Sequence, residues 1–231
     1  MRAIKGVVCV AVLAWAVSAF PALGDDKKPG ATAPDAKKEG GKPEGTGKPE
    51  GTPPGMSAEQ MAEMEAWTKA ATPGPEHKQL EYMVGTYDVA IKSWMDPGAP
   101  AMESKGTQTA EWILGGRWMR YTFNGDFMGM PFEGRGISGY DNIDKKYKSI
   151  WVDTMMTGVI ADSGTYDAAT KTFTFTGETK DPKGQVVKQR NVIQVTSNDK
   201  HVMTFYHTES GKPEAKVMEL TYTRAKAAGK P

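Results

Sequence analysis

Asp153, Glu133 and His207 are the side chains in this sequence best suited by type to move a proton. One carboxylate or imidazole held in a cavity can serve as general acid or base, so an enzyme working through a single such group is one reading of the chain. The plainer reading is that these carboxylates, with arginines nearby, form structural ion pairs. No paired-carboxylate signature, hydrolase elbow or phosphate loop accompanies them. Three histidines, His77, His201 and His207, lack the spacing of a zinc motif. His201 and His207 stand six apart on a predicted strand, roughly 20 Å from one another and too far to share a metal. No metal site is expected. The sequence carries 14 methionines, among them Met128, Met130, Met155 and Met156. Thioethers suit Cu(I), but an adaptable apolar rim is the plainer role for Met128 and Met130.

Gly134-Arg135-Gly136-Ile137-Ser138-Gly139 matches the dinucleotide pattern G-x-G-x-x-G. That chemistry needs a strand before the motif and a helix N-terminus after it, whereas Tyr140-Asp141-Asn142 makes a turn into another strand. The glycines are therefore expected to mark a bend or a close backbone approach.

The elements that would position these residues can be read from patterning. Arg2 and Lys5 precede an apolar run from Gly6 to Val17 and a small-residue exit at Ala22-Leu23-Gly24. The run is about a dozen residues against the ~20 of a membrane-crossing helix, so residues 1–24 are expected to be a secretory signal peptide and the mature protein soluble, secreted or periplasmic. Cys9, the one cysteine, lies in that run without a lipid-attachment pattern, so disulfide, thiolate and cysteine-ligated metal chemistry are excluded from the mature chain. Residues 25–55 are nearly free of apolar side chains and repeat Gly-Lys-Pro-Glu-Gly-Thr, which predicts a disordered linker. With 29 basic and 28 acidic residues, the chain offers no single-sign field for nucleic acid or an anionic membrane surface.

Across 56–84 short helices are expected. Ser57 and Gln60 form a capping-box start, and Met61, Met64, Trp67 and Ala71 recur at helical spacing, with Met61 and Met64 as packing residues. A second helical turn or two, near 75–83, should close one end of a barrel built from the rest of the chain. From Gly85 the period is two. Ten strands are predicted near 85–95, 104–114, 117–126, 132–140, 147–155, 158–166, 171–178, 186–196, 201–208 and 215–224. Turn signals such as Asp141-Asn142 and Asp181-Pro182-Lys183-Gly184 separate them, and none of the gaps could hold a crossover helix. The expected fold is an all-β, up-and-down antiparallel barrel over 85–226, closed to remove its edges. Tyr87, Val89 and Ile91 share one face, as do Phe173 with Phe175, and Met218 with Leu220 and Tyr222. For the third and eighth strands either phase places polar groups inside, which favours a lumen holding ligand or water over a dry core.

Several stretches together resemble a family of exported bacterial proteins known as domain of unknown function 1579. They include Pro73-Gly74-Pro75-Glu76-His77-Lys78, Ile113-Leu114-Gly115-Gly116-Arg117, Met128-Gly129-Met130-Pro131-Phe132-Glu133-Gly134, Gly139-Tyr140-Asp141-Asn142, Gly164-Thr165-Tyr166-Asp167 and Thr221-Tyr222-Thr223-Arg224. The resemblance implies a calycin-like barrel and brings no catalytic residue with it. Gly85-Thr86-Tyr87 also looks like the Gly-x-Trp opening of lipocalins, with tyrosine for tryptophan, and Arg224 stands where lipocalins set a basic residue against that aromatic. Haem-binding barrels of the nitrobindin type also have ten strands, but their axial histidine comes from near the chain end, where this chain has none; His207 is the nearest candidate. No cofactor is predicted.

The leading expectation is a barrel that binds a small apolar or amphipathic molecule. Tyr121, Trp151, Phe205 and Tyr222 would supply contact area, Met128 and Met130 a flexible rim, and Arg190 with His207 a polar handle for an acidic head group. The alternatives are the single acid/base enzyme and a structural, envelope-associated protein.

Overall fold

A computed structural model describes residues 56–127 and 129–226. The expected signal peptide, the linker and Met128 lie outside them. Ten antiparallel strands form a closed barrel in which each strand pairs with its chain neighbours and the last returns to the first. They are β1 (Gly85–Ser93), β2 (Met102–Ile113), β3 (Trp118–Phe127), β4 (Met130–Asp141), β5 (Lys146–Asp153), β6 (Ile160–Asp167), β7 (Thr172–Lys180), β8 (Val186–Ser197), β9 (Lys200–Glu209) and β10 (Ala215–Arg224). The predicted spans hold to within two residues.

The turns are made by the residues that announced them. Asp141 Oδ1 accepts from the backbone N–H groups of Ile143 and Asp144, Asp167 Oδ1 from that of Ala169, and Asp181 Oδ1 from those of Lys183 and Gln185. Each carboxylate takes over donors that the ladder leaves unpaired at a reversal.

Closure is a register of seven pairs, from Tyr87 opposite Arg224 to Ser93 opposite Met218. The Arg224 guanidinium lies 4.8 Å from the Tyr87 ring centroid and donates to the carbonyls of Val84 and Asn198 and to Asp199. The basic residue and the opening aromatic thus meet where β1 and β10 meet.

Helix α1 (Ala58–Ala71) starts with the expected reciprocal bonds between Ser57 and Gln60. Its apolar stripe does not pack: Met64 and Trp67 are 47% and 63% exposed, and no residue of the helix is buried. The expected packing role of Met64 is corrected accordingly, and Met61 remains only partly covered. Periodicity specified the helix without specifying anything to lie against it. Its C-terminal end is held by Asn142, whose amide donates to the Ala70 and Thr72 carbonyls.

The cap over the barrel is instead α2 (Pro75–Lys78) and the 3-10 turn Gln79–Met83, which bury His77, Leu80 and Met83. Barrel side chains hold it through its carbonyls: Tyr147 Oη donates to Glu76 O at 2.9 Å and Tyr87 Oη to Tyr82 O at 2.6 Å. Beneath it, Leu80, Met83, Met119, Tyr147, Phe173, Phe175, Ile193 and Val195 form one apolar cluster. A second, around Tyr87, Val89, Ile91, Phe123, Leu220 and Tyr222, fills the barrel wall beside the β1–β10 closure. The opposite end is bounded by the β1–β2, β3–β4, β5–β6, β7–β8 and β9–β10 loops, and none of the described helices lies there. No described helix is long and apolar enough to cross a membrane.

Candidate functional site

Inward-facing side chains between the two ends form a polar belt and an aromatic wall. The belt is set by register. Ser149 on β5 stands opposite both Ser138 on β4 and Asp162 on β6, and Asp162 stands opposite Gly177 on β7, which in turn faces Gln189 on β8. Partners directly opposite one another point to the same side of the sheet, so all these residues face the lumen.

At one end of the belt the Tyr121 hydroxyl lies 3.0 Å from Ser149 Oγ, and Ser138 Oγ donates to Ser149 Oγ at 3.1 Å. Burial pushes the Tyr121 phenol up from its usual range, partly offset by the serine hydrogen bonds. At the other end Asp162 accepts from Gln189 Nε2 at 2.6 Å and from Asn191 Nδ2 at 2.9 Å. These two bonds cross β7, which is possible because position 177 is glycine; a Cβ there would overlap the Asp162 carboxylate. Asp162, Gln189 and Asn191 are all buried. Desolvation raises the Asp162 carboxyl above its usual range, and the two amide hydrogen bonds pull it back in part. Among the described residues, Asn191 Oδ1 is the buried side-chain polar atom left without a hydrogen-bond partner.

The aromatic wall runs from the uncapped end inward. Phe127 lies 6.4 Å from Phe132, Phe132 stacks on Trp151 at 6.4 Å, and Trp151 stacks on Tyr121 at 5.8 Å between centroids. Glycines make the room: a Cβ at Gly134 would overlap the Trp151 indole, and one at Gly136 the Tyr121 ring. The glycine motif thus serves close approach, by side chains rather than by a phosphate. Trp151 Nε1 donates to Asp153 Oδ2 at 2.8 Å, and Asp153 Oδ1 accepts from Met155 N at 2.8 Å.

The structure separates the sequence-predicted residues. Tyr121, Trp151, Phe205 and His207 face the lumen, as their pairing with Gly136, Asn191 and Gln189 requires. His207 is held below the usual histidine range by burial, against the opposing charge of Glu209. Tyr222 also faces inward, but it is sealed against His201, on which it stacks at 4.3 Å, and Tyr87. Met130 is 45% exposed where β4 begins.

Arg190 and Glu133 lie on the outer face. The Arg190 guanidinium makes two bonds to Glu214, at 2.9 and 2.7 Å, and lies 4.0 Å from the Tyr206 ring centroid. Glu133 pairs with Arg135 at 2.5 Å and is 53% exposed. Arg190 therefore does not join His207 as a lumenal handle, because its neighbours Gln189 and Asn191 take the inward phase of β8. Asp153 does face inward, yet both its oxygens are engaged in holding Trp151 and the start of the β5–β6 loop.

The acid that the geometry singles out, Asp162, was missed by sequence reasoning. Its signal was its parity: it alternates with Gly164 and Tyr166 on β6, sharing a face with an aromatic and a glycine. Among the described residues no three histidine or carboxylate side chains converge as a metal would need.

No curated protein matches the chain. Among solved structures, it is similar to Rv2717c from M. tuberculosis, at 12% identity over 67% of this chain and 100% of that one, with a TM-score of 0.49. It is also similar to the S-type phycobiliprotein lyase CPES from Guillardia theta, at 13% identity over 67% and 99% of the two chains and a TM-score of 0.43. A redesigned beta barrel matches at 14% identity over 68% and 100%, with a TM-score of 0.33. The family model for a protein of unknown function, DUF1579, matches residues 72–224, the cap and the whole barrel, and the chain belongs to that family.

Proposed function

We propose that this protein is an exported, calycin-like binding barrel that takes a small apolar or amphipathic molecule through its uncapped end. One observation carries the reading: Tyr121, Ser149, Trp151, Met203, Phe205 and His207 point inward yet keep accessible surface, whereas Tyr87 and Phe173 are sealed completely. A dry core would have closed over all of them. Stacked rings beside a few convergent polar groups are the usual lining of a ligand cavity. Export is supported by the basic start, the apolar run and the small-residue exit of residues 1–24.

The test is mass spectrometry of small molecules extracted from the protein as it accumulates in its host, with tryptophan emission followed during titration with fatty acids, retinoids and flavins. The difference between wild type and Trp151→Phe isolates the lumenal indole. A copurifying ligand, or a saturable emission change lost in that variant, is the expected result. Empty protein and unmoved emission would overturn the proposal.

A further inference from the structure

We infer that the ligand carries an amine, held at Asp162 and Asn191 inside the barrel; this deepens the binding reading above and rests on it. The belt offers acceptors to an incoming molecule. Asp162 accepts one amide N–H on each oxygen, which leaves a lone pair free on each and its charge uncompensated. None of the ion pairs among the described residues includes it. Buried charges are ordinarily paired, and an unpaired one invites a cation.

Asn191 supplies the second, independent observation. Its Nδ2 is fixed toward the carboxylate, because turning the amide over would set oxygen against oxygen. Its Oδ1, on a residue 4% exposed, is thereby left as an acceptor with no donor. Orphaned acceptors at such depth are uncommon in folded proteins and need a partner. An ammonium group has three donors, enough to meet Asn191 Oδ1 and the carboxylate together. The rest of the ligand would lie along Trp151 and Phe132 toward the uncapped end, where a cleft of about 320 Å³ is lined by Glu103, Asp126 and Phe127. The one arginine expected to attract an acid, Arg190, is turned outward and already paired.

Dodecylamine, dodecanol and dodecanoic acid share one chain and differ in the head group. Each is titrated into the purified protein below its aggregation concentration near neutral pH, with heat and tryptophan emission as readouts. The amine is expected to bind about tenfold or more tightly than the acid, the scale of one charge-assisted hydrogen bond. Asp162→Asn should reduce that preference to about threefold or less, and Arg190→Ala should leave it unchanged. Equal or tighter binding of the acid overturns the amine assignment and leaves the barrel's binding role standing. Binding of none of the three overturns both. Because the wild-type comparison needs no variant, a misfolded Asp162→Asn would not rescue the proposal.

Discussion

Acidification should destabilise this barrel well before its surface carboxylates titrate, and His201 should be the main cause. The imidazole is 3% exposed, stacked 4.3 Å from Tyr222 and set edge-on to Tyr87 at 4.9 Å. Burial, with the nearby Arg224 charge, lowers its pKa from 6.5 to about 4. A histidine with a depressed folded pKa stays neutral in the native state while the unfolded chain takes up a proton. Stability is therefore fully retained above about pH 6.5, falls as pH drops toward 4, and loses nothing more from this group below that. At ~1.4 kcal/mol per pKa unit the gap is worth roughly 3 kcal/mol, a large share of the roughly 5–15 kcal/mol typical of a domain. His77 and His207 are shifted downward too and act in the same direction. Asp162, shifted upward, acts in the opposite one, since the folded state then holds its proton more tightly than the unfolded chain. His201→Phe keeps a ring against Tyr222 and cannot be protonated. Urea unfolding near pH 7 and near pH 4, followed by circular dichroism, should show the wild type losing about 3 kcal/mol more than the variant. If the two lose stability in parallel, the burial argument for His201 is wrong.

Gly134→Ala should cost roughly 1–3 kcal/mol in denaturant unfolding, because the added methyl displaces the Trp151 indole. An unchanged midpoint and unchanged tryptophan emission would contradict the role given to that glycine. Arg224→Met should lose roughly 2 kcal/mol through its bonds to the Val84 and Asn198 carbonyls and its contact with Tyr87. Amide exchange should then quicken first along the β1–β10 pairing, and a uniform change around the barrel would count against a localised closure.

Much of the barrel was readable from alternation and turn chemistry. In β1 and β7 only one phase is apolar, Tyr87-Val89-Ile91 and Phe173-Phe175, so burial chose the face. The aspartates at 141, 167 and 181 named their turns because a carboxylate can serve backbone donors that a reversal strands. The lumen was harder to read for the same physical reason. On β8 both phases carry polar groups, Arg190 on one and Gln189 with Asn191 on the other, and hydrophobicity alone could not rank them. The choice was made across strands: Gly177 leaves a gap through which Gln189 and Asn191 reach Asp162, and Tyr206 and Glu214 offer Arg190 a place outside. Neither fact is local to β8. The stripe of Met64 and Trp67 misled in the opposite way, since amphipathic spacing describes a helix and leaves open whether anything covers it.

Because β10 ends beside the start of β1, the polypeptide enters and leaves the cylinder on the capped side. The hairpin loops at the opposite end therefore carry neither terminus of the barrel. If the proposed ligand enters there, it meets only strand-to-strand turns, as at the rim of a cup held by its base, and changes in those turns would alter entry without touching the seam that closes the cylinder.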